Sequence, residues 1–344
     1  MLAWPASAPA NPYTQLLYAA VRELGVEVEE FAPERLARGA YDVWHLHWPD
    51  GLLSKPGPAT ATAKVATLGA MLELAGARGI RRVWTVHNLR AHDQLHPRLE
   101  RRFWPMLTRR LDGYISLSDT VRDQAIERFP ALRKLPGFVI PIGNLRGAYP
   151  ARLTRSQART SLGIAENALV LVHLGQIRRY KNVPRLVAAF SALEDPTAVL
   201  LIAGKPHPAA VADEVRDAAR HDPRIRASLE FVPDADVHIY LRAADLAVLP
   251  YSDIANSASA LLSVSYDCPT LAPRKGALPE LQRVVGESWL RLYEGELATS
   301  TIADALDWAG SPREGSPPLE QLDWADLARR TVDAYHRVCE QARK

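Results

Sequence analysis

The sequence predicts an α/β protein of two doubly wound domains, each a mostly parallel sheet with helices packed on both faces. Three observations carry this. Short apolar runs alternate with helix-period segments along most of the chain, the pattern of strand–helix–strand units. The alternation loosens over Gly143–Arg155, where Gly, Pro and Arg gather without an apolar period, and then restarts. Finally, 344 residues are comfortable for two cores. The expected domains are residues 1–150 and 151–318, facing each other across a cleft, with a C-terminal helix at 319–344 returning to the first domain.

Asn11 and Pro12 open a helix over about 12–24, with Tyr13, Leu16, Leu17, Ala20 and Leu24 on one face and Gly25 as its stop. Val26–Phe31 reads as a short strand. Residues 41–48 form another, ended by Pro49, which places Asp50 and Gly51 in the following loop. A helix at 60–76 leads to the strand Arg82–Val86, whose end presents His87 and Asn88. Residues 97–111 form a basic amphipathic helix, Gly113–Leu117 a strand with Asp119 capping the next helix, and Phe138–Ile142 the last strand. The second half gives strands at 169–174, 198–203, 229–232, 246–249 and 269–272, and helices at 183–193, 208–220, 236–243 and 257–266. Gly310–Pro318 is a loop, and 319–342 a final helix with Leu322, Leu327, Val332, Tyr335 and Val338 apolar.

Composition narrows the function classes. A net charge of +3 is too small to argue for nucleic acid. Two cysteines, Cys268 and Cys339, build neither a disulfide framework nor a metal cluster, so a reducing cytoplasm is expected. No apolar run reaches the roughly 18–20 residues that span a bilayer. The start Met-Leu-Ala-Trp-Pro lacks the features of a signal peptide. Any meeting with a membrane is therefore peripheral, on the inner face.

The chemistry-bearing stretches lie at strand ends, where ligands bind open α/β sheets. After the strand 169–174, Gly175 turns the backbone and Arg178 and Lys181 follow with no acid between them, a seat for a phosphate or diphosphate. A second anion site follows the strand ending at Pro250. There Asn256 or Ser257 caps a helix whose small residues, including Ser259, leave first-turn amides accessible. Asp234 and Asp236 form an Asp-x-Asp, but just before a helix, where Asp caps ends; no other cluster has metal-ligand spacing.

Taken together, these stretches resemble a known family. Gly175-x-Ile-Arg178-x-x-Lys181, Ala203-Gly204-Lys205, Leu249-Pro-Tyr251 and Asn256-Ser257 are similar to the donor half of GT-B glycosyltransferases. His45-Leu-His-Trp-Pro, His87-Asn-Leu-x-x-His92, His173-Leu-Gly-x-Ile-Arg-x-Tyr-Lys181, Leu249-Pro-Tyr-x-x-Ile-x-Asn-Ser257 and Leu292-Tyr-Glu-Gly-Glu296 resemble the xanthan-type β-1,4-mannosyltransferases, in the same order over nearly the whole chain. The resemblance implies a GT-B fold, a GDP-mannose donor, a saccharide or lipid-linked oligosaccharide acceptor, and no cofactor or metal. It also implies that Glu294 and Glu296 hold ribose or sugar hydroxyls, while Val232 and Pro233 line a base pocket through their backbones. Retaining GT-B enzymes usually carry two glutamates eight positions apart, where this chain has Ile254 and Leu262; the departure fits inversion better.

Inversion needs a base on the acceptor side. His87 at its strand end is one candidate and Asp50 another, with Asp93 as a further carboxylate. His45 and His47 are read as pointing to opposite faces of their strand, and Trp48 as a surface on which an acceptor sugar can stack. The helix 97–111, with Arg98, Arg101, Arg102, Arg109 and Arg110 beside Phe103, Trp104 and Leu107, fits an anionic leaflet. Alternatives are another GDP- or UDP-sugar on a glycolipid or natural product, a GT-B-fold sugar-nucleotide epimerase, and a silent nucleotide-binding partner.

Overall fold

The computed structural model describes residues 1–344 except 9–10, 39–40, 92–93, 150–152, 208 and 342–344. It divides the chain into Met1–Gly143 with Leu322–Lys344, and Asn144–Gln321.

In the first unit the strands are β1 (Leu2–Trp4), β2 (Glu29–Glu30), β3 (Val43–His47), β4 (Arg81–Val86), β5 (Gly113–Ser116) and β6 (Gly137–Val139). Helices α1 (Tyr13–Glu23), α2 (Pro33–Arg38), α3 (Pro58–Ala77), α4 (Pro97–Thr108) and α5 (Asp119–Arg128) connect them. All strands are parallel in the order β2-β1-β3-β4-β5-β6, so the winding direction reverses between β1 and β3. Strand β1 is too short to show a period-two pattern in the sequence. It is buried because it pairs with β2 on one side and β3 on the other. The expected strand 26–31 reduces to Glu29 and Glu30, the residues in register with Leu2 and Ala3.

Ser118, not Asp119, caps α5: its backbone is extended, and its Oγ accepts from Val121 N at 3.1 Å. On α4 the aromatic side faces inward. Phe103, Trp104 and Leu107 are buried, and the Trp104 ring lies 5.6 Å from Trp84 and 4.9 Å from Phe129. The C-terminal helix Trp324–Gln341 packs Leu327, Tyr335 and Val338 with Val43, Val83 and Ile115, and its Trp324 ring meets Tyr13 at 5.7 Å.

The second unit runs α6 (Arg155–Ser161), β7 (Leu169–Leu174), β8 (Ile177–Arg178), α7 (Val183–Ser191), β9 (Ala198–Ala203), β10 (Pro206–His207) and α8 (Ala210–His221). It continues through β11 (Ile225–Ser228), α9 (Val237–Ala243), β12 (Leu246–Val248), α10 (Ala258–Ser265), β13 (Thr270–Pro273), α11 (Leu278–Val285), β14 (Leu290–Tyr293) and α12 (Thr299–Gly310). The main sheet is parallel in the order β11-β9-β7-β12-β13-β14, and its winding reverses between β7 and β12. Alternate residues of β7 feed two cores: Leu171 packs with Phe190 and Leu200, whereas Val170 and Val172 pack with Leu201 and Leu241.

Helix α6 begins at the end of the expected Gly143–Arg155 linker and fills part of the stretch before the strand at 169–174 for which the sequence reading gives no element. A capping box starts it, with Thr154 Oγ1 accepting from Gln157 N (3.3 Å) and Gln157 Oε1 from Thr154 N (2.9 Å). The fully buried Arg159 then pins it to Asp245 at 2.8 Å. Strand β11 lies four residues before the expected 229–232, because Ile225–Ser228 is the stretch in register with Leu200–Ala203. Phe231 and Val232 therefore fall beyond the strand, and the Phe231 side chain is 59% exposed.

Candidate active site

In the second unit the two sequence-predicted anion stretches leave β7 and β12, the strands flanking the reversal, where a doubly wound sheet opens a crevice at its carboxyl edge. The stretches are tied together. Ser252 N and Oγ both donate to the Tyr180 carbonyl, at 2.8 and 3.0 Å. Ser257 is the N-cap of α10, its Oγ accepting from Ala260 N at 3.1 Å, and Asn256 precedes it. A Cβ at Gly175 (φ +118°) would stand 3.4 Å from Lys181 Nζ and 3.6 Å from Ser259 Oγ, so the lysine and the helix start converge on this glycine. Gly204 has φ +150°, and a Cβ there would come within 2.1 Å of the Gly175 carbonyl oxygen; only glycine allows β9 to end against that turn.

Lys181 is buried, and its Nζ lies 5.4 Å from the Tyr251 ring centroid. Burial lowers its pKa; Tyr180 opposes the shift, and the neighbouring Arg178 adds to it. No carboxylate acts on this lysine among the described residues. Arg178 is half-buried, and its Nε donates to Gln176 Oε1 at 2.9 Å. Beside Lys181, the buried Nε2 of His173 has no hydrogen-bond partner among the described residues, and the buried Tyr251 hydroxyl faces Ser259 and Ser257 at the α10 start. His173 Nδ1 donates to the Val248 carbonyl at 3.0 Å, which leaves Nε2 as an acceptor. Burial holds the His173 pKa down at about 3 and pushes Tyr251 up to about 12. A buried cation without a counter-charge and a helix start form a socket for a polyanion, whereas the Nε2 lone pair of His173 suits a hydroxyl donor rather than a phosphate oxygen.

The remaining donor-side candidates are more peripheral. Lys205 is exposed, with its carbonyl accepting from Ile177 N at 3.0 Å. Val232 is half-buried against the α9 side of the core. Glu294 and Glu296 follow β14 on the surface, paired with Arg274 at 2.9 Å and Arg185 at 3.8 Å. Asp236 is at the N-cap of α9 but makes no side-chain cap bond. Among the described residues no group of three or more His, Cys, Asp or Glu side chains is placed to hold a metal ion.

The first unit gathers its candidates at the ends of β3 and β4, beside the β1/β3 reversal. His45 and His47 do not point apart: residues two apart on a strand share a face, and their rings lie 4.2 Å apart. Both meet the Tyr18 hydroxyl, His47 through Nε2 at 2.6 Å and His45 through Nδ1 at 3.1 Å. His45 also bonds Tyr335 (2.7 Å) and Thr85 (2.7 Å), and His47 Nδ1 meets His87 Nε2 at 2.9 Å. Burial is the largest cause lowering all three histidine pKa values, that of His45 to about 3, so the cluster is neutral at pH 7. Trp48 stacks on His87 at 4.2 Å and holds a left-handed backbone (φ +48°), which costs a non-glycine residue about 1–2 kcal/mol.

Asp50 sits one residue past Pro49, buried, with Oδ2 accepting from Asn88 Nδ2 at 3.0 Å. Burial pushes its pKa up to about 6, against the hydrogen bond from Asn88. His92 and Asp93 lie outside the described residues. The sequence reading missed Tyr18, Thr85 and Tyr335 as polar partners. Tyr335 read as an apolar position of the last helix, and only the return of that helix brings its hydroxyl to His45.

The family described as "Glycosyl transferases group 1" matches residues 154–274, the donor half with both anion stretches. Among solved structures, sucrose-phosphate synthase from Thermosynechococcus elongatus superposes with a TM-score of 0.70 at 16% identity, over 98% of each chain. Anabaena HepE in complex with UDP and glucose gives 0.65 at 14% identity, over 99% of this chain and 98% of that one. Two parallel-sheet domains with this topology and family match define a glycosyltransferase of the GT-B fold. Within that class the chain belongs to the family of the GDP-mannose:glycolipid 4-beta-D-mannosyltransferase of Xanthomonas campestris pv. campestris, with 32% identity over 332 residues, 96% of this chain and 89% of that protein.

Proposed function

We propose that the protein is an inverting, metal-independent and cofactor-free mannosyltransferase that uses GDP-mannose and glycosylates a saccharide or lipid-linked oligosaccharide. The carrying observation is the uncompensated Lys181 beside Arg178, at the switch point and next to the start of α10. Such a socket stabilises a departing diphosphate, and one preorganised contact of this kind is worth about 2.7–4 kcal/mol of barrier. The choice of guanine and mannose rests on the relative's printed donor. Inversion is supported by Ile254 and Leu262 standing where the retaining relatives' glutamates would be.

In the reaction the bond from the anomeric carbon to the diphosphate oxygen breaks as the acceptor oxygen bonds that carbon. GDP leaves with the electron pair, and the acceptor proton passes to a base. Asp50 suits this role better than His87. A carboxyl with a pKa of about 6 is ionised at pH 7 yet more basic than an ordinary aspartate, whereas His87 has one ring nitrogen engaged by His47. Val232, Glu294 and Lys205 belong to the donor side of this reading through the family resemblance. Peripheral association with a membrane inner face belongs to this reading through the exposed Arg98, Arg101, Arg102 and Arg109 alone, since the aromatic side of α4 is buried. Among the described residues no helix is long and apolar enough to cross a membrane.

A thermal-shift screen against GDP, UDP, dTDP and their sugars tests the donor. A ligand at about 100 times its Kd adds about 2.7 kcal/mol. GDP and GDP-mannose are expected to raise the midpoint; stabilisation by UDP alone would overturn the donor reading, and by none of them the site itself.

A further inference from the structure

The first unit holds a charged cavity that the transfer chemistry above does not use. About 880 Å³ in volume, it lies among the start of α4, the loop before it and the end of α5. Arg90, Arg98, Arg101, Arg102 and Arg128 line it, with Leu95, which is 49% exposed. None of these five guanidiniums makes a salt bridge with a carboxylate among the described residues. The acid that also lines the cavity, Glu100, partly offsets these charges and raises the Arg128 pKa, but it is one carboxylate against five guanidiniums, with its Oε1 accepting from Trp104 Nε1 at 3.0 Å and from Ala91 N at 2.9 Å. Like charges crowd here, since burial and the proximity of Arg90 both depress the Arg128 pKa. Guanidiniums gathered around one cavity repel one another until an anion enters, and their planar forks match phosphate oxygens two at a time. Leu95 and Leu99 add apolar surface at the rim, where a purely ionic ligand would gain nothing from it.

We propose that this cavity binds the phosphate-bearing head group of an amphiphile, with arginines on the phosphate and Leu95 against the first carbons of the chain. That this amphiphile is the glycosyl acceptor rests on the transferase reading; the binding itself does not. Isothermal titration with dodecyl phosphate, below its micelle concentration, tests it. Dodecyl maltoside supplies the tail without phosphate, and inorganic pyrophosphate the anion without a tail. Arg101→Gln/Arg102→Gln removes two cavity charges that have no structural bonds among the described residues, and Arg38→Gln/Arg78→Gln removes two exposed charges outside the cavity.

The wild type is expected to bind dodecyl phosphate. The cavity variant should bind it about tenfold more weakly or worse, and the control variant within a factor of about three. Equal binding by wild type and cavity variant would overturn the proposal, as would an equal loss in the control variant. Maltoside binding as tight as dodecyl phosphate would reduce the site to an apolar patch, and pyrophosphate binding as tight in the Arg178→Ala/Lys181→Ala protein, which lacks the diphosphate socket, would make it a free-anion site; either result also overturns the proposal. Each titration is repeated in the Arg178→Ala/Lys181→Ala background, where the nucleotide socket is disabled. Dodecyl phosphate binding that survives there supports the proposal and its loss there overturns it, whereas a wild type that binds dodecyl phosphate but not GDP would sink the transferase reading alone.

Discussion

Replacing Asp50 by Asn should stabilise the protein at neutral pH while removing its activity. The folded carboxyl has a pKa of about 6 against an ordinary 3.8, with burial as the main cause. A carboxyl raised in the folded state loses stability as it ionises, so its penalty grows between pH 4 and 6 and is complete above. The raised pKa corresponds to about 3 kcal/mol at pH 7, and to about 1 kcal/mol at pH 4.5, where the folded carboxyl is almost wholly protonated and the unfolded one mostly ionised. Asn is isosteric, can still accept from Asn88, and carries no charge to desolvate. Urea unfolding of wild type and Asp50→Asn at pH 4.5 and 7.5 reads the difference directly. The variant's advantage should grow with pH by about 2 kcal/mol, with transfer lowered by about 10²–10⁴-fold as for a lost general base. An advantage independent of pH, or none, would refute burial of a charged carboxylate, and unchanged turnover would refute the catalytic role.

Two further substitutions probe the frame around each site. Gly204→Ala places a Cβ against the Gly175 carbonyl, which backbone alone surrounds; a loss of about 1–3 kcal/mol with weaker GDP binding is expected by urea unfolding and titration. Tyr18→Phe strips the hydroxyl from between His47 and His45. It should cost about 1–3 kcal/mol and slow transfer while leaving the GDP Kd unchanged, and a shifted Kd would count against confinement of this network to the acceptor side.

The donor socket was legible because its parts are local: a strand, a glycine, two cations, and a second strand ending in a helix cap. Neighbouring strands in the sheet then bring both stretches to one edge. The acceptor-side cluster was harder to read. His45 and His47 were identified, but their shared face follows from strand period alone, and the reading assigned them to opposite faces. Tyr335 arrives from 290 residues away, a pairing that no local pattern carries. Strand β1 and helix α6 are absent from the sequence reading for different reasons: β1 is three residues long, whereas the Thr154–Gln157 box straddles the end of the Gly143–Arg155 linker and opens a helix of only seven residues. The basic helix showed the opposite failing, since its aromatic stripe turned out to be core, and the arginines beside it gained a cavity that helical spacing could not reveal.

The most direct measurement is calorimetric binding of GDP and of guanosine to wild type and to Arg178→Ala/Lys181→Ala. Loss of the two cations should weaken GDP by about 100-fold or more, at roughly 1.5–3 kcal/mol for each charged contact, while guanosine changes little. Equal losses for both ligands, or an unchanged GDP affinity, would contradict a diphosphate held by the turn after β7.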